Sequence, residues 1–181
     1  MNQPPPRTAH TSQLSAAELA EVRALLDDAF EGDFGDEDWD HALGGIHALA
    51  RDEKGLAAHG SVIMRRVEHQ GRSYRVGYVE ALAVRADRRR QGLGGLVMAE
   101  LERVIDRAYH FGALSASADG AALYRARGWL LWAGRIEAHG PQGAVRLPDE
   151  EDSTYLWAGA RGTLPAPPAA LAFDWRDGDV L

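Results

Sequence analysis

The 181-residue sequence has no cysteine. That excludes a disulfide framework, a thiolate zinc site and a cysteine nucleophile, and it suits a cytoplasmic location. No apolar run approaches the ~18 residues of a membrane span. The opening MNQPPPRTAHTSQ lacks the apolar centre of a secretion signal. No membrane partner is therefore expected. A Walker loop, a GxGxxG dinucleotide fingerprint and an HExxH zinc motif are all missing, and there is no internal repeat. Ser115 and Ser117 have no triad motif around them. Asp36, Asp38 and Asp40 have the first three spacings of a calcium loop, but His41 stands where its turn glycine belongs and His47 where its last glutamate belongs. No metal is expected. Positive charge is short too. Twenty Lys and Arg stand against 27 Asp and Glu, a net −7, which argues against a nucleic-acid binder.

What is present is ordinary globular composition, with 45% hydrophobic and 26% charged residues. The charges are unevenly placed. Residues 27–40 hold eight acids and no Lys or Arg, and residues 147–181 hold seven acids against two Arg. Residues 65–90 reverse this, with eight Arg against three acids. Separate acidic and basic regions suit one cationic and one anionic ligand.

The pattern predicts a flexible arm over residues 1–13 and a single domain over 14–181. Ser15 and Glu18 form a capping box, with Leu14 and Leu19 as its staple, opening a helix whose inner face carries Leu19, Val22, Leu25, Leu26 and Phe30. A short helix near Glu37–Leu43 ends at Gly44-Gly45. Three antiparallel strands follow, turning at Lys54-Gly55 and Gln70-Gly71. Next come a helix with Leu96, Val97, Leu101, Val104 and Ile105 inward, a strand GALSAS, a helix closed by Gly128, a strand WLLWAGRIE and a strand STYLWAG. This order gives a mixed α/β layered fold with one βαβ unit across residues 78–117. His59 and His69 are read as strand-surface residues.

Arg89-Arg90-Gln91-Gly92-Leu93-Gly94-Gly95 lies between a predicted strand and helix. Glycines admit close backbone approach, and the first amides of a helix have no intrahelical partner, so the segment can hold phosphate oxygens. In VGYVEALAV, alternation puts Tyr78, Glu80, Leu82 and Val84 on one face, and Glu80 is a costly charge unless paired or solvated. Its structural alternative is a salt bridge to Arg65 or Arg75.

The run RRQGLG, the preceding YVEALAVRADRR and the downstream ALYRARGW resemble the GNAT acetyltransferase superfamily. That resemblance implies the GNAT fold, a mostly antiparallel sheet flanked by helices. It also implies acetyl-CoA as co-substrate, bound through the backbone of Leu82, Ala83 and Val84 and through Arg89, Arg90, Gln91, Gly92, Leu93, Gly94 and Gly95. Outside this core, GDFGDEDWDHALGGIHAL, GALSAS, LPDEED and DWRDGDV resemble the aminoglycoside 2′-N-acetyltransferases of mycobacteria and relatives. This second likeness implies acceptor contacts from Asp33, Asp38, Glu80, Ala81, Ser115, Asp149, Glu150, Asp179 and the terminal carboxylate at Leu181. It implies a direct ternary-complex transfer, with Glu80 accepting the amine proton, the Leu82 N–H holding the oxyanion and Tyr124 protonating the sulfur. A homodimer acting on an aminoglycoside or another polycationic amine is expected, conferring resistance.

Any one acid read alone is equally a helix cap or solvated surface, Asp36 and Asp38 above all. The alternatives are an acetyltransferase for a polyamine, a cell-wall amino sugar or a peptide N-terminus, and a non-catalytic acyl-CoA-binding module.

Overall fold

The computed structural model describes residues 5–181. In chain order it contains β1 (Arg7–His10), α1 (Ala16–Ala29), α2 (Asp36–His41), β2 (Ile46–Asp52), β3 (Gly55–His69), β4 (Arg72–Val84), α3 (Leu93–Ala108), β5 (Phe111–Ser115), α4 (Ala121–Arg127), β6 (Leu130–Leu131), β7 (Ile136–Gly140), β8 (Gly143–Arg146), β9 (Thr154–Trp157) and β10 (Leu171–Asp174). The fold class is mixed α/β, as the element order predicts. The chain forms two compact units, one taking it up to Ile63 and again over Val79–Val104, the other taking Met64–Tyr78 and Ile105–Leu181.

In the first unit β1 pairs antiparallel with β2, and β2 with β3. The arm predicted through residue 13 thus meets a strand at Arg7–His10 and a 3-10 turn at Thr11–Gln13, while residues 1–4 lie outside the described residues. Cross-strand pairing and the burial of Ala9 hold this segment, although it is too short and polar to announce itself. Helix α1 opens on the predicted capping box, with the Ser15 hydroxyl accepting the Glu18 N–H and Glu18 accepting the Ser15 N–H. Val22, Leu25 and Leu26 are buried in a core with Leu14, Leu49 and Leu56, and Leu19 packs against it. Phe30 is 40% exposed and stacks on Phe34 instead. In α3, Val97, Leu101 and Ile105 point inward as expected, whereas Leu96 is exposed and Met98 is buried.

Strand β3 shows why composition matters locally. Residues 56–62 are buried without alternation, so both faces of the strand are covered. Small residues make that possible: a Cβ on Gly60 would lie 3.0 Å from Leu101 and Val97 side-chain carbons. From Arg65 to His69 the same strand alternates buried and exposed.

The second unit orders its strands β6-β9-β5-β4-β3-β10-β7-β8. The β4–β5 and β10–β7 pairs are parallel, and the β5–β9, β6–β9, β3–β10 and β7–β8 pairs are antiparallel. Gln70 and Gly71, both at positive φ (51° and 73°), turn β3 into β4, the geometry of a two-residue hairpin loop. The single strand predicted over WLLWAGRIE is two, β6 and β7, because the chain folds over at Ala133-Gly134 and the Trp132 Nε1–H donates to the Arg135 carbonyl. Strands β8 and β10 were not expected. His69 is 5% exposed and shares a 3.1 Å hydrogen bond with the Ala170 carbonyl, which corrects its reading as a surface residue.

Candidate functional site

In the first unit the segment between β4 and α3 is built around Asp52, whose side chain is 4% exposed. Arg85 donates to it at 2.6 Å and Arg88 pairs with it at 3.0 Å. Arg85 also reaches Asp87 at 2.7 Å, and Lys54 pairs with Asp87 at 3.0 Å. Hydrogen bonds from Arg85 hold the Asp52 carboxyl below its ordinary range, and those from Arg85 and Lys54 bring Asp87 down to about 2. Arg89 donates to the carbonyls of Val84 and Ala29, and the Gln91 amide to that of Asp87. Three of the segment's four arginines, Arg85, Arg88 and Arg89, are thus tied to the protein itself. The exposed residue Arg90 and Gly92 both lie at positive φ, 60° and 85°. The Gly92 carbonyl accepts the Leu96 N–H, so the amides of Leu93, Gly94 and Gly95 form the open first turn of a 16-residue helix. Arg88 Nε is buried without a partner among the described residues. A buried donor lacking an acceptor is costly, and an anion at this loop would relieve it.

Along β4, Ala81 has φ +50°, in the left-handed region. For a non-glycine residue that costs about 1 kcal/mol or more. It interrupts the alternation expected from Tyr78 to Val84: Tyr78 and Val79 are both buried, then Glu80, Ala81 and Leu82 are all half-buried. The Leu82 side chain reaches toward Gly60 of β3. The parallel ladder with β5 involves Val76, Gly77 and Tyr78. Glu80 stands just before the kink. Arg65 donates to the Asp174 carboxylate at 2.7 Å and the Val180 carbonyl at 3.0 Å, and Arg75 donates to the Ala108 carbonyl.

Directly across from the kink, His59 Nδ1 is 3.0 Å from the Ala81 carbonyl oxygen, and His59 Nε2 is 2.9 Å from His47 Nδ1. His47 Nε2 in turn lies 2.7 Å from the Thr11 hydroxyl. Both imidazoles have 0% exposure, so His59 is no surface residue. Burial, which disfavours the charged ring, pushes His59 down to about 3 and His47 down to about 4. Sequence reasoning missed this pair. A register shift between Ala50 and Arg51 hides it: the Lys54-Gly55 turn alone would put the two histidines on opposite faces, whereas the shifted ladder sets His47 opposite Ser61 and Leu49 opposite His59, making them diagonal neighbours on one face.

Among the acids of this unit, Asp38 accepts the Gly35 N–H at 2.7 Å and so caps α2. Asp36 pairs with Arg23 at 3.0 Å, and Arg23 also holds Asp27. Asp33 and Asp40 are exposed.

In the second unit Tyr124 is 7% exposed on α4, among the rings of Trp129 and Tyr155. Burial pushes its phenol up to about 12, so it stays protonated. Gly120 gives the ring room, since a Cβ there would lie 3.2 Å from the Tyr124 ring. Ser115, at the end of β5, donates to Glu150 at 2.6 Å, and Ser153 donates to the same carboxylate at 2.9 Å. Two residues expected to meet an acceptor are therefore joined. Asp149 and Asp179 are exposed. Leu181 is 8% exposed, with its side chain in the second core, while Arg65 and Arg176 both hold the Val180 carbonyl. A separate surface cavity of about 510 Å³ is lined by Trp132, Arg135, Glu151 and Asp152 among others, and by none of the predicted site residues.

Residues 10–131 match the acetyltransferase (GNAT) domain family. The chain belongs to the GNAT acetyltransferase family. Over 179 residues this acetyltransferase is 42% identical to an aminoglycoside 2′-N-acetyltransferase from Mycolicibacterium fortuitum, covering 96% of this chain and 90% of that one. Its fold is similar to that of a GNAT family N-acetyltransferase (YhbS) from Escherichia coli solved in complex with CoA. The TM-score there is 0.68 at 19% identity, with 96% of this chain and 93% of that chain covered. It is also similar to ElaA from Escherichia coli, with a TM-score of 0.58 at 16% identity over 83% of this chain and 97% of that one. These two likenesses concern the fold.

Proposed function

We propose that this acetyltransferase moves the acetyl group of acetyl-CoA directly to the 2′-amine of an aminoglycoside. One observation carries the acceptor: the 42% identity to a relative named for that reaction, extending over 90% of it. The acid-rich stretches support a polycationic acceptor, and the anion-ready loop supports a nucleotide thioester. The open amides of Leu93, Gly94 and Gly95, the positive φ of Gly92 and the buried, unpartnered Arg88 Nε suit the CoA pyrophosphate. In this reading the backbone of Leu82, Ala83 and Val84 pairs with the pantetheine arm, with Arg89, Arg90 and Gln91 flanking the phosphates.

The amine must attack as a neutral nucleophile. Glu80 takes its proton, directly or through water, as the C–N bond forms. The Leu82 N–H holds the oxyanion. As the C–S bond breaks, the Tyr124 hydroxyl gives its proton to the departing sulfur, and its raised pKa keeps that proton in place until then. Asp33, Ala81, Ser115, Asp149, Glu150, Asp179 and the carboxylate of Leu181 orient the acceptor, while Asp38, which the likeness also offers as a contact, caps α2. The reading extends to a cytoplasmic homodimer that confers aminoglycoside resistance.

The test is a panel of aminoglycosides, polyamines, amino sugars and peptide N-termini with acetyl-CoA, the product position being assigned by NMR. Acetylation at the 2′-amine of aminoglycosides with little turnover of simple amines is expected; equal turnover of monoamines sinks the acceptor assignment. Tyr124→Phe should lower kcat roughly 100-fold or more while changing acetyl-CoA affinity little, since a positioned general acid contributes about 10²–10⁴. Unchanged kcat removes Tyr124 from the mechanism.

A further inference from the structure

The four polar groups from Thr11 to Ala81 can be assigned a direction by elimination. A carbonyl oxygen only accepts, so His59 Nδ1–H donates to Ala81 at 3.0 Å. In a neutral imidazole the other nitrogen is then an acceptor, so His59 Nε2 receives the His47 Nδ1–H at 2.9 Å. The same logic makes His47 Nε2 an acceptor, so the single hydroxyl proton of Thr11 goes to it at 2.7 Å rather than to the Gly45 carbonyl at 3.4 Å. Thr11 Oγ1 in turn accepts the Gly44 N–H at 2.9 Å. The chain of donors runs one way, from the loop after α2 to β4, and ends on the residue with left-handed backbone.

What lies at that end is a peptide with two faces. The Ala81–Leu82 peptide is trans, so its C=O and N–H point in opposite directions within one plane. Fixing the carbonyl fixes the amide. A hydrogen bond accepted by the C=O also polarises the peptide and makes its N–H a better donor.

We propose that His59, oriented by His47 and Thr11, is a positioning residue for acetyl transfer, gripping the Ala81 carbonyl so that the Leu82 N–H is held toward the developing oxyanion. This rests on the role given above to the Leu82 N–H. The kink at Ala81 has no glycine to make it easy, and the bond from His59 replaces that freedom with a fixed orientation. Burying two imidazoles among apolar residues is costly unless their nitrogens are matched, and here each of the four nitrogens has a partner.

The test compares wild type, His59→Leu and His59→Asn. Leucine fills the space without a donor, whereas the asparagine amide nitrogen sits near the position of imidazole Nδ1. Measurements use any amine the enzyme accepts, on protein whose near-UV circular dichroism matches wild type. His59→Leu is expected to lose roughly 10- to 100-fold in kcat, up to the effect of losing one oxyanion donor, with acetyl-CoA KM shifted less than about threefold. His59→Asn should recover to within about fivefold of wild type. A packing role alone lowers Tm in both variants and leaves the kcat of folded protein in place, and a kcat for His59→Leu within about twofold of wild type overturns the proposal. Should His59→Leu fail to fold, Thr11→Val carries the test from the half-buried end of the chain. A loss of roughly threefold or more in kcat is expected from the loosened His47, and unchanged kcat overturns it.

A crystal structure of whichever of these two variants folds, without substrates, gives a readout independent of the acceptor. The Ala81–Leu82 peptide should rotate, and an unmoved peptide overturns the inference. Wild-type enzyme inactive on aminoglycosides would refute the proposed acceptor while this geometric result stood by itself.

Discussion

The acids at residues 27–40 and those at 149–152 look alike in sequence, but the two stretches use their charge differently. In the first, Asp38 caps a helix, and Asp27 and Asp36 share the Arg23 guanidinium, which also stacks near Phe34 and Trp39. Three of its eight acids thus serve the folding of the segment itself. In the second, Glu151 is paired with Arg146, but the Glu150 carboxylate is held by two neutral hydroxyls, Ser115 and Ser153. Hydroxyl donors orient a carboxylate without cancelling its charge, so it remains available to an ammonium group. A count of acids therefore overstates what a cationic ligand can meet, and the identity of each partner decides which acids remain.

Acidification should separate the two stretches by the largest margin. The loop that follows α2 is tied through Gly44 and Thr11 to the buried, neutral His47–His59 pair. Both histidines titrate well below their ordinary 6.5 when folded. The unfolded chain then binds more protons from about pH 6.5 downward, so stability falls as pH falls, toward folded values near 4 and 3. Each contributes roughly 1 kcal/mol per pH unit across that window. Glu151, Asp52 and Asp87 have lowered pKa values, so their contribution is lost only in more acidic solution, below the ordinary carboxylate range. Thermal melts from pH 7.5 to 5 should show Tm dropping above the range in which Glu151, Asp52 and Asp87 titrate, and a flat Tm over that range would mean that the imidazoles are not buried neutral.

Next in size is Glu150→Gln. It keeps the serine contacts and removes the charge. The acceptor KM should rise roughly 10- to 100-fold, the worth of one charged hydrogen bond of about 1.5–3 kcal/mol, while acetyl-CoA KM and Tm stay near wild type. Steady-state kinetics at saturating acetyl-CoA would check it. An unchanged acceptor KM would erase the contrast between the two stretches.

The sequence exposes local devices better than long-range ones. Ser15 with Glu18, the Gln70-Gly71 turn and the left-handed Gly128 after α4 act through immediate neighbours, and each stands where its motif puts it. Strand β10 depends on β3 and β7, one on either side, and nothing in LAFD itself favours a strand over the surrounding Pro-rich tail. The histidines mislead for a related reason. Period-two reading assigns polar residues outward, but β3 is covered on both faces at His59, and ring nitrogens are tolerated there because each finds a partner. At the candidate site the Arg-Gly loop is legible as a motif, whereas the roles within it are not. Arg85 and Arg88 belong to Asp52, a partner 33 residues upstream of Arg85 that spacing does not reveal. The kink at Ala81 is equally silent, since alanine carries no signal for positive φ.

The smallest expected effect is the counterpart of Glu150→Gln on the other stretch. In Asp38→Ala the helix α2 loses the carboxylate that accepts the Gly35 N–H, and no side chain on the glycine replaces it. Loss of such a capping interaction costs about 0.5–2 kcal/mol. For a chain of this length that is roughly 1–8 °C in Tm. The acceptor KM should move less than about threefold, because the Asp38 carboxylate is turned to the Gly35 N–H at the start of its own helix. A KM rise matching that of Glu150→Gln, with Tm unchanged, would show that Asp38 serves the acceptor more than the helix and that the two acidic stretches are equivalent after all.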